Sequence, residues 1–399
     1  MKRRDLLKAS LGITLVPTVA LADEISPDLR LTRAVGFDLV CHRAKYVGKN
    51  SRLDDHGDRA TERMVRLYTN AGVEGIGVCR APEPSLAAVL GRPLRELVNL
   101  DKRCASEHFG HGTMPVWDLV GNVLKRPVHE LLGNEGPKQV PVYDGSLYFS
   151  DLLPDYAHRW PSRFREELDE GLARGHRAFK LKIGRGAKWM PRQEGDARDI
   201  EVIRLVRSHV GPDVLIGVDA NNGYDLLGAK RLLEAVEDVR LTFVEELFHE
   251  DVASCRDLKQ FIADRGWKTL VADGETQTDL APLVPLIQQQ ALDILQADMN
   301  RFGIEGILEE SRLAAPQGIQ IAPHNWGSLM GHFQQLHIAR AIPNFYLAEH
   351  DPLSTTVLRA EGYTIGQGLA NLPDAAGFGL TVDESAFTNE VSVRFDLRA

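Results

Sequence analysis

Short apolar runs rich in β-branched residues recur through the second half of this chain, and amphipathic segments separate them. Eight such runs can be counted, near residues 140–144, 178–184, 214–219, 241–245, 269–274, 293–297, 318–323 and 345–349. The segments between them, such as ARDIEVIRLVRSHV, have the apolar spacing of helices that pack one face on a core. Eight alternating units of strand and helix predict an α/β protein with a (β/α)8 TIM-type barrel.

The residues that precede this repeat follow a different pattern. Two strand-like stretches, LTRAVGFDLVCH and RLYTNAGVEGIGVCR, flank a polar segment, and helical patterns follow them. We therefore predict an N-terminal α+β capping domain over residues 23–135 and a barrel domain over residues 136–355. Residues 356–399 are rich in glycine between short strand-like runs, and we expect this C-terminal segment to return to the capping domain.

The first residues have the pattern of an export signal. Lys2, Arg3 and Arg4 precede an apolar stretch, and the small residues around Ala22 suit a signal-peptidase site. The run KRRDLLK resembles a twin-arginine signal. We predict that residues 1–22 form a twin-arginine-like signal peptide and that the mature protein is periplasmic or extracellular. An ordinary secretory signal and an uncleaved membrane anchor are the alternatives.

The composition is that of a globular protein, with 43% hydrophobic and 26% charged residues among 399. This length suffices for a large core and two domains. The formal net charge is −9 and there is no long basic run, which argues against a nucleic-acid partner. Beyond the N-terminus no stretch reaches the ~18 apolar residues that a membrane-spanning helix requires, so we expect no membrane association of the mature form.

Polar residues follow the apolar runs at the points where the predicted strands end. They are Lys180 with Lys182, Asp219, Glu245, Glu275, Asp298, His324 and Glu349. By subtraction of positions, successive members from Lys182 onward lie 23 to 37 residues apart, which is the length of one unit of strand and helix. Because a parallel barrel points the C-terminal ends of its strands into one mouth, we expect these side chains to converge there.

The two lysines lie two residues apart on one predicted strand, so both side chains project to the same side. Mutual repulsion of the ammonium groups and partial desolvation both lower a lysine pKa. A lysine that is closer to neutrality can act as a general base. We therefore interpret Lys180 and Lys182 as catalytic candidates, the alternative being two ordinary solvated lysines at a strand end.

Three carboxylates, Asp219, Glu245 and Glu275, end three consecutive predicted strands. Carboxylate oxygens are the ligands that a hard cation such as Mg²⁺ prefers, with water or substrate completing its octahedron. Glu246 and Asp273 are competing candidates, and Asp273 is the more serious because it lies two residues before Glu275 on the same face. Scattered carboxylates are also common without a metal, which is the alternative interpretation.

Asp298 and His324 end the sixth and seventh predicted strands, which are neighbours in a parallel barrel. A carboxylate on one ring nitrogen orients an imidazole and raises its basicity, so this pair is a candidate base. Glu349 ends the eighth strand. If it is protonated there, it could donate a hydrogen bond to a developing oxyanion.

Taken together, these positions resemble the enolase superfamily and, within it, the mandelate racemase subgroup. The run WDL at residues 117–119 looks like the family's helix leading into the barrel, and GFGL at residues 377–380 looks like its closing segment. The pair of Asp298 and His324 favours this subgroup, because the muconate-lactonising branch has a lysine at the end of the sixth strand. The resemblance implies a modified, enolase-like barrel with Mg²⁺ as cofactor.

The resemblance also implies a role for each position. It implies that the three carboxylates bind Mg²⁺ and that Lys182 is the base on one face of the substrate α-carbon. His324, with Asp298, would be the base on the opposite face. Lys180 would contact the substrate carboxylate, and Glu349 would be the acid that hydrogen-bonds the enolate.

These roles imply an enzyme that removes the α-proton of a hydroxy-carboxylate, such as a sugar acid, to form an enolate. We favour dehydration to a 2-keto-3-deoxy acid, a lyase reaction, because it is common in the subgroup. Racemisation or epimerisation by the same two bases is the alternative. A metal-dependent hydrolase would need several His ligands, typically beginning with His-x-His, which the chain lacks. A non-catalytic barrel that binds acidic sugars would not need two bases.

The substrate contacts are the least constrained part of the sequence. We expect a small-molecule carboxylate as the partner and a homo-oligomeric assembly. A polar early segment is predicted to form a loop that closes over the mouth, beside the insertion RGAKWMPRQEGDA. Asn221 shares the strand face of Asp219 and could bind either substrate or a ligand carboxylate. The candidate substrate-binding residues are Asn221, Tyr143, Asp144, Arg43, Lys45, Lys49, Asn50, Trp189 and Arg192.

Overall fold

The computed structural model describes residues 24–399, and the predicted signal peptide at residues 1–22 lies outside them. The N-terminal region contains a sheet of three consecutive antiparallel strands, which helices cover. Its elements are β1 (Leu31–Val47), β2 (Gly57–Thr69), β3 (Glu74–Val78), α1 (Glu83–Ala87), β4 (Val98–Asn99), β5 (Cys104–Ala105), α2 (Met114–Leu124) and α3 (Val128–Leu132). This region is the α+β capping region that the sequence predicts.

Eight parallel strands follow and alternate with helices. The strands are β6 (Val140–Leu147), β7 (Ala178–Lys182), β8 (Leu215–Asp219), β9 (Phe243–Glu245), β10 (Leu270–Asp273), β11 (Ile294–Leu295), β12 (Gln320–Ile321) and β13 (Ala348–His350). The helices are α4 (Trp160–Ala173), α5 (Arg192–Val210), α6 (Leu226–Ala235), α7 (Val252–Asp264), α8 (Leu283–Gln288), α9 (Met299–Ala314) and α10 (Leu329–Ala341). Within residues 24–399, every helix is too short or too polar to span a membrane.

The eight strands close into a ring. Each strand from β6 to β11 pairs in parallel with the next, and β13 pairs in parallel with β6. A parallel backbone bridge between Ile321 and Phe345 joins the remaining two edges. The predicted (β/α)8 barrel is therefore confirmed.

Alternation along the strands separates an inner from an outer face of the barrel. The inner face begins with a small apolar cluster that includes Tyr143, Ala178 and Phe243. Gly217 leaves room for this cluster, because a Cβ at that position would lie 2.2 Å from the ring of Phe243. Lys180 continues the inward face of Ala178 toward the C-terminal end of β7. An apolar floor thus lies beneath the polar strand ends.

The C-terminal region returns to the first sheet. Its elements are β14 (Leu353–Ser354), β15 (Leu358–Arg359), β16 (Thr364–Gly366), β17 (Leu369–Asn371), β18 (Thr381–Val382), α11 (Glu384–Glu390) and β19 (Ser392–Arg398). Both β14 and β19 pair antiparallel with β1, so the end of the chain adds two strands to the capping sheet. The domain boundaries near residues 135 and 355 stay predictions.

Asp118 links the two segments that carry the family resemblance. Its Oδ1 accepts a hydrogen bond from Phe378 N at 2.8 Å, and its Oδ2 accepts one from Ile76 N at 2.9 Å. The two oxygens of one buried carboxylate therefore join α2 to both β3 and the closing segment, because buried backbone N–H groups need partners.

Candidate active site and metal centre

The polar residues that end the barrel strands converge at the C-terminal mouth of the barrel. Lys180 Nζ lies 2.6 Å from Glu245 Oε1, 3.0 Å from Glu349 Oε1 and 3.4 Å from Asp219 Oδ2. Lys182 Nζ also contacts Asp219 Oδ2. All five residues are buried, so water screens their electrostatic interactions only weakly.

Asp219, Glu245 and Glu275 form a candidate metal centre, which we term the carboxylate trio. Three of their oxygens, one from each residue, lie within 4.8 Å of one another. Two amides hold the trio in place: Gln296 Nε2 donates to Glu245 Oε2 at 2.7 Å, and Asn221 Nδ2 donates to Glu275 Oε1 at 3.2 Å. Of the two partners expected for Asn221, the structure therefore shows a ligand carboxylate.

The donor chemistry of the trio suits Mg²⁺. All three donors are hard carboxylate oxygens from adjacent strands, without sulfur or nitrogen ligands. Among the described residues no second group of acidic, histidine and cysteine side chains is arranged to hold a metal ion, so the several-histidine set of a hydrolase is not found there. When bound by the trio, Mg²⁺ would supply positive charge that stabilises an enolate and the carboxylate from which it forms.

A glycine decides which acid after β10 joins the trio. Ala272 belongs to the inner apolar cluster, so the alternation of the strand turns Asp273 to the outer face. Gly274 has a φ of +126°, and this turn brings Glu275 back toward the barrel axis. The prediction that Asp273 shares a face with Glu275 is therefore wrong, because the strand ends between them. The other competing acid, Glu246, accepts a hydrogen bond from the Asn221 amide at 3.0 Å.

Asp298 and His324 form the pair expected from neighbouring strands. Asp298 Oδ2 lies 2.6 Å from His324 Nδ1, while Oδ1 accepts from the backbone N–H groups of Asn300 and Arg301 at the start of α9. The other ring nitrogen, Nε2, lies 3.1 Å from Glu275 Oε2. Burial lowers the pKa of His324, but Glu275 and Asp298 outweigh it and raise the pKa to about 10.

The pKa of Lys182 differs from the prediction. Burial lowers it, as does the neighbouring Lys180, but the contact with Asp219 outweighs both and raises it well above its usual value. The expected lowering is therefore wrong for this arrangement of charges. The pattern of two lysines on one strand does not show that a carboxylate from the next strand contacts one of them.

For Glu349 the structure favours the ionised form, whereas the donor role considered from the sequence requires the protonated form. Burial raises its pKa, but Lys180 and His324 outweigh burial and hold the pKa below its usual range. Its Oε2 accepts a hydrogen bond from Asn325 N at 2.7 Å. In this structure Glu349 is therefore an ionised acceptor that holds Lys180, rather than a protonated donor.

Two of the predicted substrate-binding residues do not lie in a loop. Arg43 and Lys45 are part of β1, where buried and exposed residues alternate, and both belong to the buried face. Arg43 makes a two-pronged ion pair with Asp351, at 2.7 Å through Nε and 2.6 Å through Nη2. Lys45 Nζ lies 2.8 Å from Glu167 Oε2. The expectation of a loop here is wrong because the sheet continues to Val47 and pairs these cations internally.

Tyr143 and Asp144 were expected at the end of the first barrel strand, but β6 continues to Leu147. Tyr143 lies in the barrel floor, where its ring packs against Phe243 and Lys180 Nζ lies 5.5 Å from the ring centroid. Asp144 belongs to the opposite face of the strand. The structure thus places Tyr143 beneath the charged network rather than at the mouth.

Residues 48–56, which join β1 to β2, form a capping loop over the mouth. Ser51 Oγ donates to Ala220 O at 2.6 Å, one residue after the end of β8. Trp189 of the predicted insertion donates from Nε1 to Asn50 O at 2.6 Å. The loop and the insertion therefore contact each other, and the loop is tied directly to a strand end.

Sequence reasoning missed an aromatic group beside the bases, formed by His56, Tyr148 and Trp326. The rings of Tyr148 and Trp326 stack with centroids 4.6 Å apart, and His56 lies 4.7 Å from Tyr148. Lys182 Nζ lies 5.3 Å from the centroid of Tyr148. Trp326 follows the candidate base His324 by two residues, and this closeness in the sequence could have indicated that Trp326 lies near the site.

The fold and the site together define a class of protein. A (β/α)8 barrel with a capping region, three converging carboxylates and two candidate bases beside them is the architecture of enzymes that remove a proton next to a carboxylate. The family model described as enolase C-terminal domain-like matches residues 163–386. The chain belongs to this family, and its ligand set is that of a Mg²⁺-dependent member.

Solved and curated relatives cover most of the chain. It is similar to a galacturonate dehydratase from Geobacillus sp., whose structure is complexed with D-galacturonate and 5-keto-4-deoxy-D-galacturonate. The two are 32% identical, the match covers 94% of this chain and 100% of that chain, and the TM-score is 0.86. A mandelate racemase/muconate lactonizing protein from Geobacillus sp. Y412MC10, complexed with magnesium/tartrate, is 33% identical over 91% of this chain and 95% of that one, with a TM-score of 0.85. A D-galactarolactone cycloisomerase from Agrobacterium fabrum is 26% identical over 83% of this chain and 91% of its own length. The chain is thus an enzyme of the lyase or isomerase class.

Removal of the metal should abolish activity, and replacement of a trio member should weaken metal binding. We expect EDTA to stop turnover and Mg²⁺ to restore it. Glu275→Gln should lower the Mg²⁺ affinity, measured by calorimetry, by more than about 10-fold, since loss of even an outer-shell partner has an effect of this size. Asp273→Asn is the matched control, and an equal loss of affinity in both variants would contradict the assignment of the trio.

Proposed function

We propose that this enzyme dehydrates a sugar acid: it removes the α-proton of a hydroxy-carboxylate and eliminates the β-hydroxyl, forming a 2-keto-3-deoxy acid. The observation that carries the proposal is the placement of two basic nitrogens against one carboxylate trio. Lys182 Nζ contacts Asp219, and His324 Nε2 lies 3.1 Å from Glu275 Oε2. A substrate carboxylate bound to a cation at the trio would have these two nitrogens beside it as candidate bases.

Each residue has a distinct task in this reaction. The positive charge of a cation at the trio would lower the raised pKa values of Lys182 and His324 by repulsion. One of these two bases then accepts the α-proton, which converts the substrate into an enolate. Lys180 stays charged, because the surrounding carboxylates raise its pKa well above its usual value although burial lowers it. Its ammonium group donates hydrogen bonds to the enolate oxygen, and Glu349 holds it in position at 3.0 Å. Asp298 keeps the imidazole oriented through Nδ1.

Elimination then completes the reaction. The electron pair of the enolate forms the double bond between the α- and β-carbons as the bond from the β-carbon to its hydroxyl breaks. The second base, in its protonated form, delivers a proton to the departing oxygen, which leaves as water. The resulting enol rearranges to the 2-keto acid, so the overall change is the loss of one water molecule.

Dehydration is favoured over racemisation by the dehydratase relative. Of its two ligands, one has a keto group at C5 and lacks the C4 hydroxyl of the other. With the carboxylate carbon counted as the first, C5 and C4 are the second and third carbons. This is the same chemistry as formation of a 2-keto-3-deoxy acid. Racemisation or epimerisation stays the alternative, because two bases serve it equally and a cycloisomerase is also similar to the chain.

A substrate panel in D₂O tests the reaction class. The protein, Mg²⁺ and a series of aldonic, aldaric and uronic acids are incubated together, and NMR follows α-deuterium and keto-acid signals. We expect at least one acid to yield keto acid. Deuterium uptake without keto acid would instead indicate racemisation, and neither signal from any acid would reject the sugar-acid proposal.

Loss of either base should separate proton exchange from turnover. We expect Lys182→Ala and His324→Asn each to lower turnover by about 10²- to 10⁴-fold, the usual contribution of a general acid or base. One of the two variants should still exchange the α-proton with D₂O, because the base on the other face remains. Wild-type turnover in either variant would show that the residue is not a base.

We also propose that the enzyme is exported, cleaved near Ala22 and homo-oligomeric. The basic residues before an apolar stretch and the small residues at its end support export. N-terminal sequencing of protein recovered from the periplasm of expressing cells should begin at Asp23. Replacement of Arg3 and Arg4 by lysine should block export if the twin-arginine route is used. An intact N-terminus would contradict cleavage, and a monomer in light scattering would contradict oligomerisation.

A further inference from the structure

His56 lies between the strand ends that carry the two bases. It is the last residue of the capping loop, and its ring lies with centroids 4.7 Å from Tyr148 and 5.9 Å from Trp326. Tyr148 contacts Lys182, whose Nζ is 5.3 Å from the ring centroid. Trp326 follows His324 by two residues. A residue of the capping region therefore packs against two aromatic residues that adjoin the candidate bases.

Trp326 determines the tautomer of His56. The indole Nε1 can only donate a hydrogen bond, and it lies 3.0 Å from His56 Nδ1. Nδ1 must therefore accept, so the proton of a neutral ring is on Nε2. Burial lowers the pKa of His56 to about 4, and the charges of Lys182 and Arg43 act in the same direction. At neutral pH the ring is uncharged and Nε2 is a donor.

The donor has nothing to bind within the protein. His56 Nε2 is buried, and within residues 24–399 it has no hydrogen-bond partner. Buried polar groups in folded proteins nearly always have a partner, and an exception needs an explanation. A ligand oxygen at this place would satisfy the donor.

We propose that His56 binds the substrate through a hydrogen bond from Nε2–H to a hydroxyl oxygen of the sugar acid. The inference rests on the proposed function, which supplies an oxygen-rich ligand here. Lys180 and a cation held by the trio would bind the substrate carboxylate at the strand ends, whereas the capping loop crosses beyond them. His56 therefore meets the hydroxylated part of the substrate, and Trp326 is a positioning residue that acts through it.

Two substitutions separate the donor from the fold. In His56→Asn the amide oxygen can occupy the place of the histidine Nδ1 and accept from Trp326, but no atom occupies the place of Nε2. Gln at position 56 can place an amide nitrogen near Nε2. For the panel acid that the enzyme consumes, we expect kcat/KM to fall by about 10- to 100-fold in His56→Asn and to stay within about threefold of wild type in His56→Gln.

Analogues of that acid identify the bonded hydroxyl. Each monodeoxy analogue is assayed with wild type and with His56→Asn. For one analogue the two proteins should have equal kcat/KM, because the hydroxyl that His56 binds is missing from it. A loss that is the same for every analogue would show a purely structural role, and wild-type activity of His56→Asn on the full acid would also overturn the proposal.

A measurement without turnover distinguishes this proposal from the proposed function. NMR of the protein labelled with ¹⁵N-histidine should show His56 neutral between pH 5 and 8, because its pKa is about 4, with its proton on Nε2. The signal is assigned by its loss in His56→Asn. A proton on Nδ1, or a charged ring at pH 6, would overturn the His56 proposal. A panel without any consumed acid would instead reject the proposed function.

Discussion

Neutralisation of charge in the buried mouth of the barrel is the constraint on which the rest of the structure depends. Four carboxylates and two lysines meet there with little water to screen them. An unpaired buried charge costs several kcal/mol, so each carboxylate must face a cation or a hydrogen-bond donor. Lys180 alone meets three carboxylates at 2.6 to 3.4 Å. A cation held by the trio would share this task, which explains why a candidate metal site, two candidate bases and an ion-pair network occupy one small volume.

The same kind of interaction joins the capping region to the chemistry. Arg43 from β1 pairs with Asp351, two residues beyond Glu349. Asp351 Oδ2 also accepts from Gly327 N at 2.9 Å, in the segment that follows His324. One buried ion pair therefore positions the sheet that carries the capping loop against two strand ends of the active site. Arg43, a candidate substrate-binding residue in the sequence, is therefore a structural link.

The sequence predicts correctly those features that depend on residues close together in the chain, and it fails where a single backbone angle or a distant charge intervenes. Asp219, Glu245 and His324 could be assigned because each ends an apolar run, and a parallel barrel turns regular spacing along the chain into convergence in space. Asp273 was placed on the wrong face because a single positive φ at Gly274 interrupts the alternation. The predicted lowering of the Lys182 pKa is wrong because Asp219, on the next strand, outweighs the repulsion from Lys180.

The sequence by itself determined the barrel and the capping region and selected the trio and the two candidate bases, because these follow from periodicity and residue type. Only the tertiary structure decided the protonation states, the internal pairing of Arg43 and Lys45, and the unpaired donor of His56. These features depend on the distances in space between residues that are far apart in the chain. Electrostatic and hydrogen-bond energies change steeply with those distances. The strand ends thus carry the candidate chemistry, and packing of the capping loop places His56 against Tyr148 and Trp326 beside them.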